Sequence, residues 1–205
     1  MPRPLTVYKL GGSLLDLPDL GERLKACFKA APEECAVLVV GGGPAANLVR
    51  DWDSRHRLGD AAAHRLAIAA MELNARLVRI LLSRTGLAVG LDWRSTGPAD
   101  VIVPDMFREI EEANDGEAPE ESWEVTSDSL AAWLAGRCRA QRFVFLKSVA
   151  GPETDRSARV GTSASDLQRA AEAGLCDSAL PRYLPAGIAV EWIDFRSQRS
   201  AGQTY

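Results

Sequence analysis

Only two histidines, His56 and His64, and four cysteines, Cys27, Cys35, Cys138 and Cys176, occur in the 205 residues. The cysteines are scattered, form no C-x-x-C pair and stand far from the histidines, so the ligand spacing of a zinc site is missing. Such thiols read as the reduced side chains of a cytoplasmic protein. Neither histidine has an acid or nucleophile arranged around it, and both are read as structural. No apolar run approaches the roughly 18 residues of a membrane span, and the stretch after Met1-Pro2-Arg3-Pro4 is too short for the apolar core of a signal peptide. An excess of positive charge is also missing: a net charge of -4 and a pI near 5.3 leave no basic footprint for nucleic acid.

Two nucleotide-binding signatures are absent or incomplete. No G-x-x-x-x-G-K-[ST] occurs, which excludes a P-loop. Gly41-Gly42-Gly43-Pro44-Ala45-Ala46 satisfies the weak form of the dinucleotide fingerprint, G-x-G-x-x-A. That fingerprint needs a second strand ending in an acid about 20 residues on. Arg57-Leu58-Gly59-Asp60 stands there and opens a long helix instead, so a nicotinamide enzyme ranks last of the readings.

What is present is an ordinary globular composition, 46% apolar and 25% charged, in a chain long enough for one domain or two small lobes. No internal repeat and no linker interrupts it, so residues 1–205 are read as one domain. Strand and helix signals alternate, which favours an α/β layered fold. Strands are expected at 5–10, 36–40, 87–91, 99–103, 142–146 and 188–195. Helices are expected at 20–31, from Pro44 onward, at 60–84, at 129–139 behind a Ser or Thr cap, and at 164–173. Asp51/Arg55 and Asp53/Arg57 stand at i, i+4 spacing and mark a solvated face of the second helix. Leu66, Ala70, Leu73, Leu77 and Ile80/Leu81 form an apolar stripe along the 60–84 helix, read as core or as a subunit contact of a homo-oligomer. Residues 109–121 hold seven acids and no base, read as a solvated helix end and loop.

Two glycine turns, each straight after an apolar strand, carry the chemistry: Lys9-Leu10-Gly11-Gly12-Ser13 and Val40-Gly41-Gly42-Gly43-Pro44. Glycine lets backbone come close to a ligand and aim successive N–H groups at an anion, and a helix start beyond the turn adds partial positive charge. With Lys9 beside the first turn, the pair suggests a cradle for a phosphate chain and points to phosphoryl transfer. Lys9 taken alone is equally a lysine capping an edge strand. Asp128, at the mouth of a helix, orients lysines or simply caps that helix. Lys147, after the apolar run 143–146, stands where open α/β sheets place ligands, or is a solvated loop lysine. Arg50 faces an anionic acceptor or lies on the solvated helix face. Trp93 and Arg94 line an acceptor pocket or anchor their loop.

In order along the chain, strand–Lys–x–Gly–Gly–Ser, strand–Gly–Gly–Gly, Thr126-Ser127-Asp128-Ser129-Leu130-Ala131-Ala132, and strand–Leu146-Lys147-Ser148-Val149-Ala150-Gly151 resemble the amino acid kinase family. The resemblance spans about residues 5–151. It implies a three-layer αβα sandwich with a mainly parallel central sheet, ATP and Mg2+ as cofactors, and transfer to a small-molecule acceptor through a carboxylate, carbamate or phosphate oxygen. It assigns Lys9 to the transferring phosphoryl group and Gly11, Gly12 and Ser13 to the ATP-phosphate loop. Gly42 and Gly43 fall to the loop between acceptor and phosphoryl group, Asp128 to organising the active-site lysines, and Lys147 to the nucleotide-binding segment; Gly41 and Arg50, beside that loop, are read with it as acceptor-binding. Within the family, Gly-Gly-Gly-Pro-Ala-Ala-Asn-Leu-Val-Arg and the short length are most similar to the small methanofuran-biosynthesis phosphate kinases. Isopentenyl phosphate kinases carry a histidine just after the glycine loop, and this chain has none there. One departure stands out. Larger members supply a second lysine from a late Gly-x-Met-x-x-Lys segment, whereas residues 152–165 hold arginines and no lysine. Lys147, Arg156 or Arg159 stands in, or the chain is a non-catalytic nucleotide- or anion-binding relative.

Overall fold

The computed structural model describes residues 3–95, 98–113, 116–151 and 164–197. Six strands form one sheet: β1 (Leu5–Leu10), β2 (Cys35–Val40), β3 (Val89–Gly90), β4 (Val101–Ile102), β5 (Arg142–Lys147) and β6 (Ala189–Asp194). Their order is β3-β4-β2-β1-β5-β6, and every pairing is parallel. The continuous apolar runs Ala36–Val40 and Phe143–Leu146 suit this, because parallel strands are covered on both faces.

Alternation along the strands divides the core. Val7, Phe143, Phe145 and Val190 face α5 (Ser127–Arg137), α6 (Ala164–Glu172) and α7 (Leu180–Tyr183). Tyr8, Leu10, Leu38 and Val144 face α1 (Leu20–Lys29) and the later part of α3 (Asp60–Arg84). The result is the three-layer αβα sandwich. Side chains two residues apart share a face, so Lys9 follows Val7 and Lys147 follows Phe145 onto the side covered by α5. The chain passes from β1 to its neighbour β2, out to the edge strand β3, back to β4 between β2 and β3, and then across to β5 on the other side of β1. The strand order therefore reverses at β1/β5, where α/β sheets open a crevice at their carboxyl ends.

The remaining helices are α2 (Gly43–His56) and α4 (Met106–Glu111), and a 3-10 turn spans Gly12–Asp16. Pro44 sits in the first turn of α2, as its fixed φ favours. α7 was not foreseen: four residues starting at Leu180, with a proline at the front, give no helical period.

Packing decides several of the open readings and overturns others. Of the α3 stripe only Ala70 is buried outright, while Leu73 and Ile80 are 63% and 52% exposed and Leu66 and Leu77 are exposed too, so it is not core. The buried face includes Ile68, Ala75 and Leu82, each two residues beyond Leu66, Leu73 or Ile80 and about 200° around the helix, with Met71 and Val78 beside them. α3 thus carries two apolar stripes, and the sheet takes the slimmer one. The α2 face that carries Asp51, Arg55 and Arg57 is exposed, as expected; Asp53 is drawn inward, accepting from Trp123 Nε1 at 2.9 Å and from the Gly59 N–H, while Arg57 turns into the left-handed region at φ 54°. Within the acidic stretch, Glu109 is buried rather than solvated and takes a two-pronged Arg94 guanidinium at 2.9 Å. Arg94 also stacks on Trp93, so these two residues anchor their loop. α5 begins at Ser127, two residues before the expected start, and its cap comes from elsewhere in the chain.

Candidate active site

Asp128 is the centre of the site. It lies in the first turn of α5, where the unpaired N–H groups of a helix start favour a carboxylate. Its Oδ1 stands 2.6 Å from Lys9 Nζ and its Oδ2 accepts from Lys147 Nζ at 2.9 Å. The three side chains are 6%, 5% and 13% exposed, respectively. Burial alone would raise the Asp128 carboxyl, but the two ammonium groups outweigh it and hold that carboxyl below the usual range. Burial, with the like charge of Lys9, pulls Lys147 down to about 8 against the raising effect of Asp128. Lys147 Nζ also donates to the Leu175 carbonyl at 2.9 Å and stands over the Phe145 and Trp192 rings. One carboxylate therefore holds two ammonium groups at the carboxyl ends of adjacent strands.

The glycine turns meet directly above them. Leu10 O accepts from the Gly41 N–H, and Leu146 O accepts from the Gly11 N–H, which stitches the end of β1 to β2 and to β5. A Cβ on Gly12 would lie 2.2 Å from Gly43 N, a distance no side chain tolerates, and Gly43 itself has φ +49°. Two backbones touch here because neither carries a side chain. Asn74 Nδ2, buried on α3, donates to the carbonyls of both Gly41 and Gly42 at 2.8 Å. Ser13 Oγ shares a hydrogen bond of 2.9 Å with Ser148 Oγ, tying the first turn to the end of β5. The 3-10 turn, α2 and α5 all start beside the two lysines, and helix starts and ammonium groups both favour an anion.

A cavity of about 110 Å3 opens on the other side of the second turn. Gly42, Gly43, Arg50, His64, Met71 and Trp123 contribute to its wall. Arg50 lies over the Trp123 ring at 4.9 Å, and Asp53 holds that indole from behind. His64, expected to be purely structural, lines this cavity; its Nδ1 pairs with Ser122 O at 2.9 Å, and burial keeps the imidazole below its ordinary pKa. Gly41 does not line the cavity and serves the contact between the turns. Lys9, Gly11, Gly12, Ser13, Asp128 and Lys147 form one cluster, with Gly42, Gly43 and Arg50 adjoining it. Arg156 and Arg159 lie outside the described residues.

Sequence reasoning missed that Lys147 reaches the same carboxylate as Lys9. One signal was available: the chain has four lysines, at 9, 25, 29 and 147, against twenty arginines. Lys25 and Lys29 lie on α1, but the other two stand at the ends of apolar strands, where a compact, mobile ammonium suits phosphate.

Residues 4–160 match the model of the amino acid kinase family. The chain belongs to that family. The [5-(aminomethyl)furan-3-yl]methyl phosphate kinase of Methanocaldococcus jannaschii is 27% identical over 157 residues, which cover 71% of this chain and 66% of that enzyme, just under two thirds of its length. Among solved structures, the UMP kinase of Ureaplasma parvum superposes with a TM-score of 0.62 at 14% identity, covering 94% of this chain and 91% of that one. The uridylate kinase of Archaeoglobus fulgidus gives 0.57 at 21% identity, covering 86% and 83%. The UMP kinase of Bacillus anthracis gives 0.58 at 16%, covering 95% and 88%. At such identities the likeness establishes the fold. All four proteins are kinases, and the amino acid kinase fold here has its two lysines and its glycine turns at one crevice.

Proposed function

We propose that this chain is an ATP-dependent kinase that transfers the γ-phosphoryl group to an oxygen of a small phosphomonoester or carboxylate. The observation that carries this reading is Asp128 divided between Lys9 and Lys147 beside three helix starts. In transfer, an acceptor oxygen bonds to the γ-phosphorus while the bond from that phosphorus to the β,γ-bridging oxygen breaks, and ADP departs. Lys9 neutralises charge on the moving group. Gly11, Gly12, Ser13 and Lys147 hold the nucleotide phosphates, so Lys147 takes the place of the missing late lysine. Asp128 has both oxygens engaged by ammonium groups and its carboxyl is held low, so it orients the lysines and removes no proton. A phosphomonoester or carboxylate arrives ionised and needs no base, which suits a site without one. Among the described residues no three His, Cys, Asp or Glu side chains gather as metal ligands. Mg2+ would arrive with the triphosphate and would neutralise part of its charge.

On the acceptor side, the Gly42–Gly43 backbone and Arg50 face the cavity, and Arg50 supplies the guanidinium for an anionic group. The methanofuran-type relative makes an aminomethylfuran-methyl phosphate the first acceptor to try. We further read residues 1–205 as one such domain, working in the cytoplasm where ATP is available, and as a homo-oligomer joined through the exposed stripe of α3. No described helix is long and apolar enough to cross a membrane.

The test is thermal unfolding with and without Mg-ATP, followed by ADP release with phosphomonoester acceptors, on the wild type and on Lys9→Ala. Nucleotide at about 100 times its Kd adds roughly 2.7 kcal/mol, a shift of several degrees. Loss of Lys9 is expected to lower transfer by about 10²–10³, the size seen when one charge-stabilising donor is removed. A folded Lys9→Ala protein with near-normal turnover refutes the reading. Stoichiometric ATP binding with no transfer to any phosphomonoester or carboxylate favours the non-catalytic relative instead.

A further inference from the structure

α5 is capped from a distance. Thr126, the residue before its first turn, is of a type that ordinarily accepts the N–H three residues on. Here its side chain makes no such bond. Asp177, in the turn between α6 and α7, takes over. Its Oδ2 accepts from the Thr126 N–H at 3.0 Å, the Thr126 hydroxyl at 2.8 Å and the Ser129 N–H at 3.0 Å. Its Oδ1 accepts from the Ser129 hydroxyl. Four donors thus converge on one carboxylate, and they flank Asp128 on both sides. Two residues earlier in the same turn, the Leu175 carbonyl accepts from Lys147 Nζ.

We propose that the turn at residues 175–177 is the positioning element of the two-lysine site, with Asp177 setting the place of Asp128 and Leu175 that of Lys147. The proposal rests on the phosphotransfer reading for its kinetic consequence, and on geometry alone for its electrostatic one. A self-capped helix would hold its own first turn equally well. It would not tie that turn to the carbonyl on which Lys147 rests. By using a carboxylate 51 residues away, the chain fixes α5 and the Lys147 ammonium to one short segment. Charge-assisted bonds are about twice as strong as neutral ones, so four of them define the helix start closely. Cys176, between the two anchors, is buried with its thiol pushed up to about 11, by burial first and then by Asp128, and adds no charge near neutrality. The groups that face Lys147 are therefore the Lys9 ammonium, the Asp128 carboxylate and the neutral Cys176 thiol, with Asp177 beyond them.

The test compares Asp177→Ala and Asp177→Asn with the wild type, well below their unfolding temperatures. Asp177→Ala is expected to lower kcat about tenfold or more and to raise KM for ATP as well, because Lys9 meets the moving phosphoryl group and Lys147 holds the nucleotide phosphates. Asp177→Asn keeps an oxygen acceptor for the N–H donors and is expected to restore a large part of kcat. A second measurement needs no turnover: 13C NMR titration of lysines labelled at the ε-carbon, with only four signals to assign. Once Asp128 is free to withdraw, Lys147 loses its raising partner, so its midpoint is expected to fall by about half a pH unit or more. A lower unfolding temperature with kcat within about twofold and an unmoved Lys147 midpoint would make Asp177 a plain helix cap and overturn the proposal. Should Asp177→Ala not fold, Ser129→Ala removes one of the four donors and is expected to move the midpoint in the same direction by less; no movement overturns the proposal. Should the wild type transfer no phosphoryl group, the phosphotransfer reading fails by itself and the titration still decides on Asp177.

Discussion

The two-lysine site makes activity depend on pH in a way that can be worked out beforehand. Lys147 serves phosphate binding only as an ammonium, and burial beside Lys9 brings its pKa from 10.5 to about 8. The free protein then carries that ammonium in about nine molecules of ten at pH 7 and about one in ten at pH 9. Because kcat/KM reports the free enzyme, kcat/KM for ATP is expected to bend near pH 8 and fall about tenfold per unit above it. Lys147→Arg separates charge from titration. A guanidinium stays charged throughout this range, so the alkaline limb should vanish. The plateau should also drop, because a planar fork cannot meet both Asp128 Oδ2 and the Leu175 carbonyl as Nζ does at 2.9 Å. The assay is ADP release between pH 6.5 and 9.5 (~, bracketing the midpoint) with limiting ATP and saturating acceptor. A wild-type profile level through the top of that range, or an unchanged limb in Lys147→Arg, would refute the reasoning.

Two further outcomes follow from packing. Gly12→Ala places a Cβ 2.2 Å from Gly43 N, so the glycine turns must part. The overpacking should cost about 1–3 kcal/mol, lower the melting temperature by several degrees and abolish the thermal shift with Mg-ATP; an unchanged shift would show that the contact is dispensable. Leu73→Glu with Ile80→Glu puts charge on the exposed stripe of α3 and is expected to convert a homo-oligomer to monomer in light scattering while leaving the melting transition cooperative. A wild type already monomeric at working concentration rejects that interface.

Much of the architecture could be read from local pattern. β1, β2 and β5 are apolar runs ended by glycine or lysine, and α3 runs over the predicted 60–84 because a helix of that length shows its period plainly. Its facing could not be read, since Leu66-Leu73-Ile80 and Ile68-Ala75-Leu82 repeat identically and only the sheet decides between them. Polar Asn74 belongs to the buried face, where it serves the glycine carbonyls, and that inverts the usual rule that buried means apolar. At the site, each glycine turn and each lysine was legible singly. Their meeting came only from the pairing of the turns and from the family resemblance, not from local pattern, because Lys9, Asp128 and Lys147 come together through strand order. Asp177 offered no local signal at all: a cap read from sequence is sought within three residues of the helix start, not 48 residues beyond Ser129.

The central position of β1 also has a consequence in time. β1 pairs on one side with β2, made soon after it, and on the other with β5, the strand that ends at Lys147. At about 5–20 residues per second, the ribosome needs roughly 6–24 s to go from Lys9 to Asp128. Throughout that interval the newborn chain has its first strand edge unpaired and a lysine destined for burial with no counter-charge. The sheet can close only when β5 and β6 arrive, so the site and the sheet are completed in the same step.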